Sequence, residues 1–341
     1  MSDVVVIGAG IIGLTSAVRL QERGLRVRVV SADDVLSTTS AVAAAVWYPT
    51  GMDESREVAH WSAVTFTELV RQAADRVPGV TMRPTRMYAY DRGPESLPWW
   101  GSVVPDLRRL GAAELRPAGP EPAGSGSGSG PAYRDGWEFT APAVEMPHYL
   151  PWLLDRFLAN GGELLHRRLD SLGEARAWAP TVVNASGLGA RRLCDDEAVE
   201  PIRGQVVLVR NPGLHTSLRV QGDPAGYTYL HPRSTDIVLG GTYERGNWDT
   251  VSDPATARAI LDRCAALAPG LRDAEVIGHR VGLRPARRSG VRLAADTRTL
   301  PGTLLVHAYG YGGAGVTLSW GCADAVAALA TRPRPRPRPT D

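Results

Sequence analysis

Apolar residues open the chain: Val4-Val-Val-Ile7 is a short run without polar interruption, the pattern of a strand buried on both faces. From Ile11 the apolar positions take up helical spacing until Arg23-Gly24 closes the segment, and Leu25 to Val30 reads as a second strand. Helical spacing returns at 56–76, at 147–160 (Pro147 early, Asn160-Gly-Gly closing) and at 254–267. Val182 to Gly189 reads as a short buried strand ending in small residues, the kind that returns to the first sheet. Strands are expected at 204–210, 226–231, 236–242, 276–284 and Leu304 to His307, the last followed by a helix ending near Ala330. This order predicts an α/β chain. A Rossmann-like, doubly wound domain would draw on both ends (1–50, 145–200, 280–330), with an inserted, mostly antiparallel α+β domain (51–144, 201–279). The Pro/Gly/Ser stretch 117–131 reads as a flexible loop and the Arg/Pro tail 331–341 as disordered.

The turn between the first strand and helix is Gly8-Ala-Gly10-Ile11-Ile12-Gly13. In this spacing Gly8 allows a tight turn, Gly10 lets the backbone approach a pyrophosphate, and Gly13 lets helix and strand pack closely. An anion would sit on the helix N-terminus, where the N–H groups and the dipole favour it. The second strand ends at Ser31-Ala32, and Asp33 and Asp34 follow, so the acidic residue expected for a ribose is present but displaced. The motif suits NAD and FAD alike.

Bulk properties narrow the chemistry. A net charge of +2 over 341 residues gives no electrostatic case for nucleic acid or an anionic membrane. All 38 basic residues are arginine, so a lysine Schiff base and a Walker A loop are both excluded. Cys194, Cys264 and Cys322 are scattered, which argues against a metal site or disulfide framework and for a reducing compartment, the cytoplasm by default. No segment is expected to approach a membrane span.

A second glycine cluster, Gly310-Tyr-Gly312-Gly313-Ala-Gly315-Val316-Thr317, joins the last strand to the last helix. It again brings backbone N–H groups to a helix N-terminus, suited to the negative edge of a reduced flavin. Here the chain resembles the D-amino acid oxidases and D-aspartate oxidases. Leu305 to Gly315 and Gly321-Cys-Ala323 follow that family's C-terminal pattern. Thr38-Thr39-Ser40 to Trp47, Val183-Asn-Ala-Ser186-Gly187, Gly204-Gln205, Gly240-Gly241, Gly246-Asn-Trp248 and Val281-Gly-Leu-Arg284-Pro285 follow in family order.

The resemblance implies noncovalent FAD, contacted by both glycine clusters, Ala32 and Asp33, by Thr38, Thr39, Ala44, Ala45 and Val46, and by Ser186, Gly187 and Arg284. It implies Arg284 as carboxylate anchor, Tyr229 as a hydrogen-bond donor to the same carboxylate, and Gly313 at the reacting centre. A planar guanidinium suits the first role, because its fork pairs bidentately with a carboxylate. The expected reaction is hydride transfer from substrate Cα to flavin, giving a 2-oxo acid, ammonia and, with O₂, H₂O₂. Substrate and O₂ would be the partners, with a homodimer a further expectation. Tyr227, Tyr229 and His231 alternate along one strand and should share a face. With Val46, Tyr48 and Val220 they would form a roomy, largely apolar side-chain pocket favouring neutral D-amino acids. D-aspartate oxidation would instead need an inward cation, for which Arg219 is the candidate. A glycine or sarcosine oxidase and a nonenzymatic dinucleotide sensor are the remaining readings.

Overall fold

The computed structural model describes residues 2–49, 51–52, 54–91, 93, 97–115 and 133–332. The segment 117–131 and the tail beyond Arg332 lie outside the described residues.

Val4–Ile7 forms the heart of a six-stranded sheet, pairing in parallel with Val27–Ser31 on one side and Thr181–Asn184 on the other. Val5 and Val6 are fully buried, which is what an unbroken apolar strand requires. Glu163–His166 extends one edge; Leu304–Tyr309 and then the antiparallel Arg292–Asp296 extend the other. Both ends of the chain therefore meet in one sheet. Helix Ile11–Glu22 packs on helix Gly315–Ala330, which also meets helix Arg56–Ala74. Val5, Ile7, Val30, Val182 and Leu305 belong to a separate apolar cluster with Leu169 and Leu172.

The segment Gly312–Ala330 is long and apolar enough to cross a membrane, contrary to the sequence expectation; 61% of its apolar window is buried. Its apolarity has a packing cause. Leu318, Trp320, Cys322 and Val326 are completely enclosed, so the helix is apolar on nearly every side.

The second sheet has nine strands. Its main path runs Glu244–Arg245, Val199–Arg210, Asp236–Gly240, Thr228–Pro232, Ser217–Gln221, Val80–Ala89, Asp135–Val144 and Arg108–Arg109, with Val276–Arg287 added along Val199–Arg210. All pairs are antiparallel except Val80–Ala89 with Ser217–Gln221. Helix Pro254–Leu267 covers one face, burying Ile260 and Cys264 among Val207, Val220, Leu230 and Leu239. The other face looks towards the first sheet.

The boundary expected at residue 280 falls inside Val276–Arg287, which pairs continuously from Gly278 to Arg287 with Leu208 to Val199. Residues 199–200 and 280–287 thus pair in the second sheet, and the chain enters the first sheet at Arg292, with Ala286 bridging to Tyr311 between the two.

Candidate functional site: a dinucleotide cleft and a carboxylate recess

A cavity of about 500 Å³ is lined from both sheets. At its first end, Gly8 has φ +107°, and a Cβ there would lie 2.5 Å from the Ala185 carbonyl oxygen. A Cβ on Gly13 would lie 1.9 Å from the Gly8 oxygen; Gly13 stays out of the cavity and serves the helix–strand contact. The Ile11 N–H donates to Ser40 Oγ at 3.0 Å, while the N–H groups of Ile12 and Gly13, in the first helical turn, have no intrahelical acceptor. That is an anion site lined by Gly10, Ile11 and Ile12.

Beyond the second strand Ala32 and Asp33 line the wall, and Asp33 pairs with Arg168 at 3.1 Å. Arg167, Arg168 and Arg192, which the sequence pattern did not single out, join them there. Ser186 and Gly187 face the cavity from the strand-end turn after Asn184. The segment from Thr38 to Val46 is pinned between the sheets. The Thr39 hydroxyl donates to the Leu283 carbonyl at 3.1 Å, Val46 bridges Ala143, and the buried Trp47 indole donates to the Ser62 carbonyl. Thr38, Thr39, Ala44, Ala45 and Val46 consequently line the cleft. At the far end stand Gly310, Gly312, Gly313, Gly315, Val316 and Thr317, with Gly310 at φ +89° and Gly312 at φ +53°. The Thr317 hydroxyl donates to the Tyr48 carbonyl at 2.9 Å and fixes this turn against the neighbouring wall.

These residues fit FAD. Two glycine-lined helix N-termini open into one cleft where side chains at several glycines would collide with backbone, and an acidic residue, Asp33, lines it two residues beyond the second strand. Gly10 to Ile12 would hold the pyrophosphate, Asp33 the adenosine ribose, and the Gly310–Thr317 turn the flavin.

Where the cleft meets the second sheet, two glycines serve as platforms. A Cβ on Gly204 would lie 2.3 Å from both terminal nitrogens of Arg284, and one on Gly240 would lie 1.8 Å from the Tyr229 ring. The Arg284 guanidinium donates to the Thr242 carbonyl at 3.1 Å, and no carboxylate among the described residues pairs with it. Burial pushes the Tyr229 hydroxyl up to about 12, with the Arg284 charge opposing, so it remains an O–H donor. His231 stacks on Tyr229 with ring centroids 4.9 Å apart. Burial and then the Arg219 charge pull His231 down to about 3, so its imidazole is neutral at physiological pH. Tyr227 lies edge-on to Tyr229 at 5.2 Å. All three rings line the cavity, as alternation predicts.

The side-chain pocket needs correction. Val220 is 4% exposed and packs in the core under helix Pro254–Leu267, away from the cavity. Its neighbour Arg219 takes the inward position, because adjacent residues on a strand face opposite ways. The Arg219 guanidinium sits 3.7 Å from the Tyr48 ring centroid and reaches the Tyr227 hydroxyl at 3.4 Å; its Nε has no hydrogen-bond partner. Among the described residues no carboxylate pairs with Arg219 either. Tyr243, also missed in the sequence, lies beneath Arg284 with its ring 5.5 Å from the guanidinium carbon and abuts Gly51. Its place just after Gly240-Gly241 was the available signal. The Gly222–Tyr227 turn is short and internally tied: the Thr228 hydroxyl donates to Asp223 at 2.6 Å, and the Ala225 N–H does so at 2.9 Å.

Fold and cleft together define a two-domain flavoprotein oxidoreductase. Residues 3–329 match the family model described as FAD dependent oxidoreductase, DAO, and the chain belongs to that family. It is 48% identical to a D-amino-acid oxidase of Rubrobacter xylanophilus, covering 90% of this chain and 89% of that one. It is 43% identical to a D-amino-acid oxidase of Streptomyces coelicolor, covering 90% of each. Among solved structures, a glycine oxidase from Geobacillus kaustophilus shares the fold at TM-score 0.79 and 21% identity, covering 98% of this chain and 96% of that one.

Proposed function

We propose that the protein oxidises D-amino acids to 2-oxo acids, ammonia and H₂O₂. The observation that carries this reading is an unpaired, partly buried guanidinium, Arg284, beside the protonated hydroxyl of Tyr229 on the wall of the dinucleotide cleft. Bound FAD supplies the hydride acceptor. Arg284 anchors the substrate carboxylate by charge and a two-point hydrogen bond, and Tyr229 donates a further one. With the carboxylate held and the side chain lodged in the recess beside Arg219 and Tyr48, one way remains of aiming the Cα–H at the flavin, so exchanging two substituents on Cα turns that hydrogen away. No general base is required of the recess: His231, held neutral, and Tyr229, held protonated, leave the substrate amine to lose its proton to solvent. The chemistry needs no partner beyond substrate and O₂. Three unpaired cysteines support a reducing compartment for it. The test is H₂O₂ release from panels of D- and L-amino acids. Activity confined to D-enantiomers is expected; equal or greater activity with L-enantiomers or with sarcosine would overturn the reading.

A second reading of the side-chain preference is favoured by Arg219. The expected preference for neutral side chains assumed that Val220 lines the pocket, whereas an unpaired guanidinium stands there instead. A substrate carboxylate reaching Arg219 gains a charged hydrogen bond, and a neutral side chain leaves the arginine on Tyr48. We propose that acidic D-amino acids are accepted. Arg219→Ala should then lower kcat/KM for D-aspartate or D-glutamate by about 10-fold or more, in line with a charged hydrogen bond of roughly 1.5–3 kcal/mol. D-alanine should change far less. An equal fall for both substrates would remove Arg219 from side-chain recognition.

A further inference from the structure

The strand that carries the anchor and the turn that would hold the flavin edge belong to different sheets, and one side-chain cluster ties them together. The Asp196 carboxylate, 9% exposed, accepts from Arg287 Nε at 2.8 Å and from the Tyr309 hydroxyl at 2.8 Å. Its other oxygen accepts from the Ala198 N–H at 3.2 Å. Arg292 in turn donates to the Tyr309 hydroxyl at 2.8 Å and lies 3.8 Å from Asp296. Four segments meet here. Arg287 ends the strand that bears Arg284 three residues earlier; Tyr309 ends the central-sheet strand immediately before Gly310. Arg292 comes from the sheet edge, and Asp196 from the turn after Leu193.

The backbone around the cluster leaves little slack. A Cβ on Gly310 would lie 2.7 Å from Arg287 Cβ, and Ala286 bridges Tyr311 on the other side of that glycine. The Tyr309 ring is 1% exposed yet forms part of the cavity wall. Burial pushes the Asp196 carboxyl up, but hydrogen bonds from Arg287 and Tyr309 outweigh it and hold it below its usual value, so the cluster keeps its charge at neutral pH.

We propose that the Asp196–Arg287–Tyr309–Arg292 cluster is a positioning device that sets the distance between the carboxylate anchor Arg284 and the Gly310–Gly313 turn. None of its polar groups need touch substrate. Its effect falls on the alignment of Cα–H with the flavin, since a misplacement of about 1 Å can slow such a step about 100-fold. The proposal rests on the D-amino acid oxidase reading above, and that reading is tested first by the wild-type protein.

Tyr309→Phe removes one oxygen from the centre of the cluster and keeps the ring in the cavity wall. Three quantities distinguish positioning from support: FAD affinity of the apoprotein by fluorescence, the flavin spectral change on titration with propionate, and the rate of flavin reduction by D-alanine without O₂. The expected result is a limiting reduction rate lowered about 10- to 100-fold, with FAD affinity and propionate affinity each within about threefold of wild type and an altered propionate-induced spectrum. Asp196→Asn should act in the same direction and more strongly; should it not fold, Tyr309→Phe decides alone. A reduction rate within twofold of wild type, whatever happens to the melting temperature, would make the cluster merely structural and overturn the proposal. Loss of FAD binding in Tyr309→Phe would overturn it too, by assigning the cluster to cofactor retention. A wild-type protein that D-amino acids cannot reduce would instead sink the functional reading and leave the cluster's geometry as it is.

Discussion

At the scale of single residues, the recess depends on what has been left out as much as on what is present. Gly204 and Gly240 have no side chain because Arg284 and Tyr229 lie directly across their α-carbons. Arg284→Ala should therefore lower kcat/KM for any D-amino acid by about 2–5 kcal/mol, expressed in both KM and kcat, with bound FAD retained. Gly204→Ala should approach the same defect without touching the charge, since its methyl group takes the space of the guanidinium. Steady-state kinetics alongside the flavin absorbance would check both. Near-normal kcat/KM in Arg284→Ala with FAD bound would move the anchor elsewhere, and the inward, unpaired Arg219 would be the next candidate. This part of the site was legible in the sequence, because glycines, an arginine and a tyrosine stand at fixed intervals that survive without knowledge of register. The direction of Arg219 was not. Arg219 and Val220 are successive residues of one strand, so only one can face the cavity, and the choice is made by pairing Arg219 with Tyr229 and Val220 with Thr228 across the sheet.

At the scale of elements, helices were read to within about two residues because their period persists over several turns: 254–267 is observed as Pro254–Leu267, and 147–160 as Met146–Ala159. Strands did less well where polarity broke the alternation. Val80–Ala89 carries Arg83, Pro84 and Arg86 within ten residues, yet pairs along its whole length with Asp135–Val144. It is flanked on both sides only from Thr85 to Ala89, and Pro84, which has no N–H to donate, lies just before the pairing with Ser217–Gln221 begins. Helix Arg56–Ala74, in the chain stretch expected for the inserted domain, packs both on the second-sheet strands Val80–Ala89 and Asp135–Val144 and on helix Gly315–Ala330. The helix–helix contact is close enough to need a glycine. A Cβ on Gly321 would lie 2.4 Å from Trp61 Cα, and the Gly321 N–H donates to Thr65 Oγ1 at 3.0 Å. Gly321→Ala should force the two helices apart and cost about 1–3 kcal/mol, in the range of core overpacking. Urea unfolding would measure it, and stability equal to wild type would show that the interface can shift without loss.

At the scale of the whole molecule, two histidines are enclosed in neutral form and make the fold sensitive to acid. Burial, with the Arg219 charge adding to it, takes His231 down to about 3. Burial and Arg292 take His307 to about 4, with Asp296 opposing. Their unfolded value is 6.5, so as pH falls below it the unfolded chain binds protons that the native state refuses. The stability these residues contribute is fully present above about pH 6.5 and is lost progressively, down to about pH 4 for His307 and about pH 3 for His231, at roughly 1.4 kcal/mol per pH unit for each histidine once its unfolded form is protonated. The paired carboxylates do not blur this interval. Asp3 is held near 2 by Arg26, and Asp196 is lowered by Arg287 and Tyr309, so their contributions begin to fall only near the unfolded carboxylate range. Urea unfolding at several pH values between about 6.5 and 5 should therefore show a slope approaching two protons, and His231→Phe should bring it towards one. A wild-type slope of only one proton would mean that one imidazole is protonated in the fold, as when Asp296 rather than burial governs His307, and an unfolding free energy that stays flat would mean that both are.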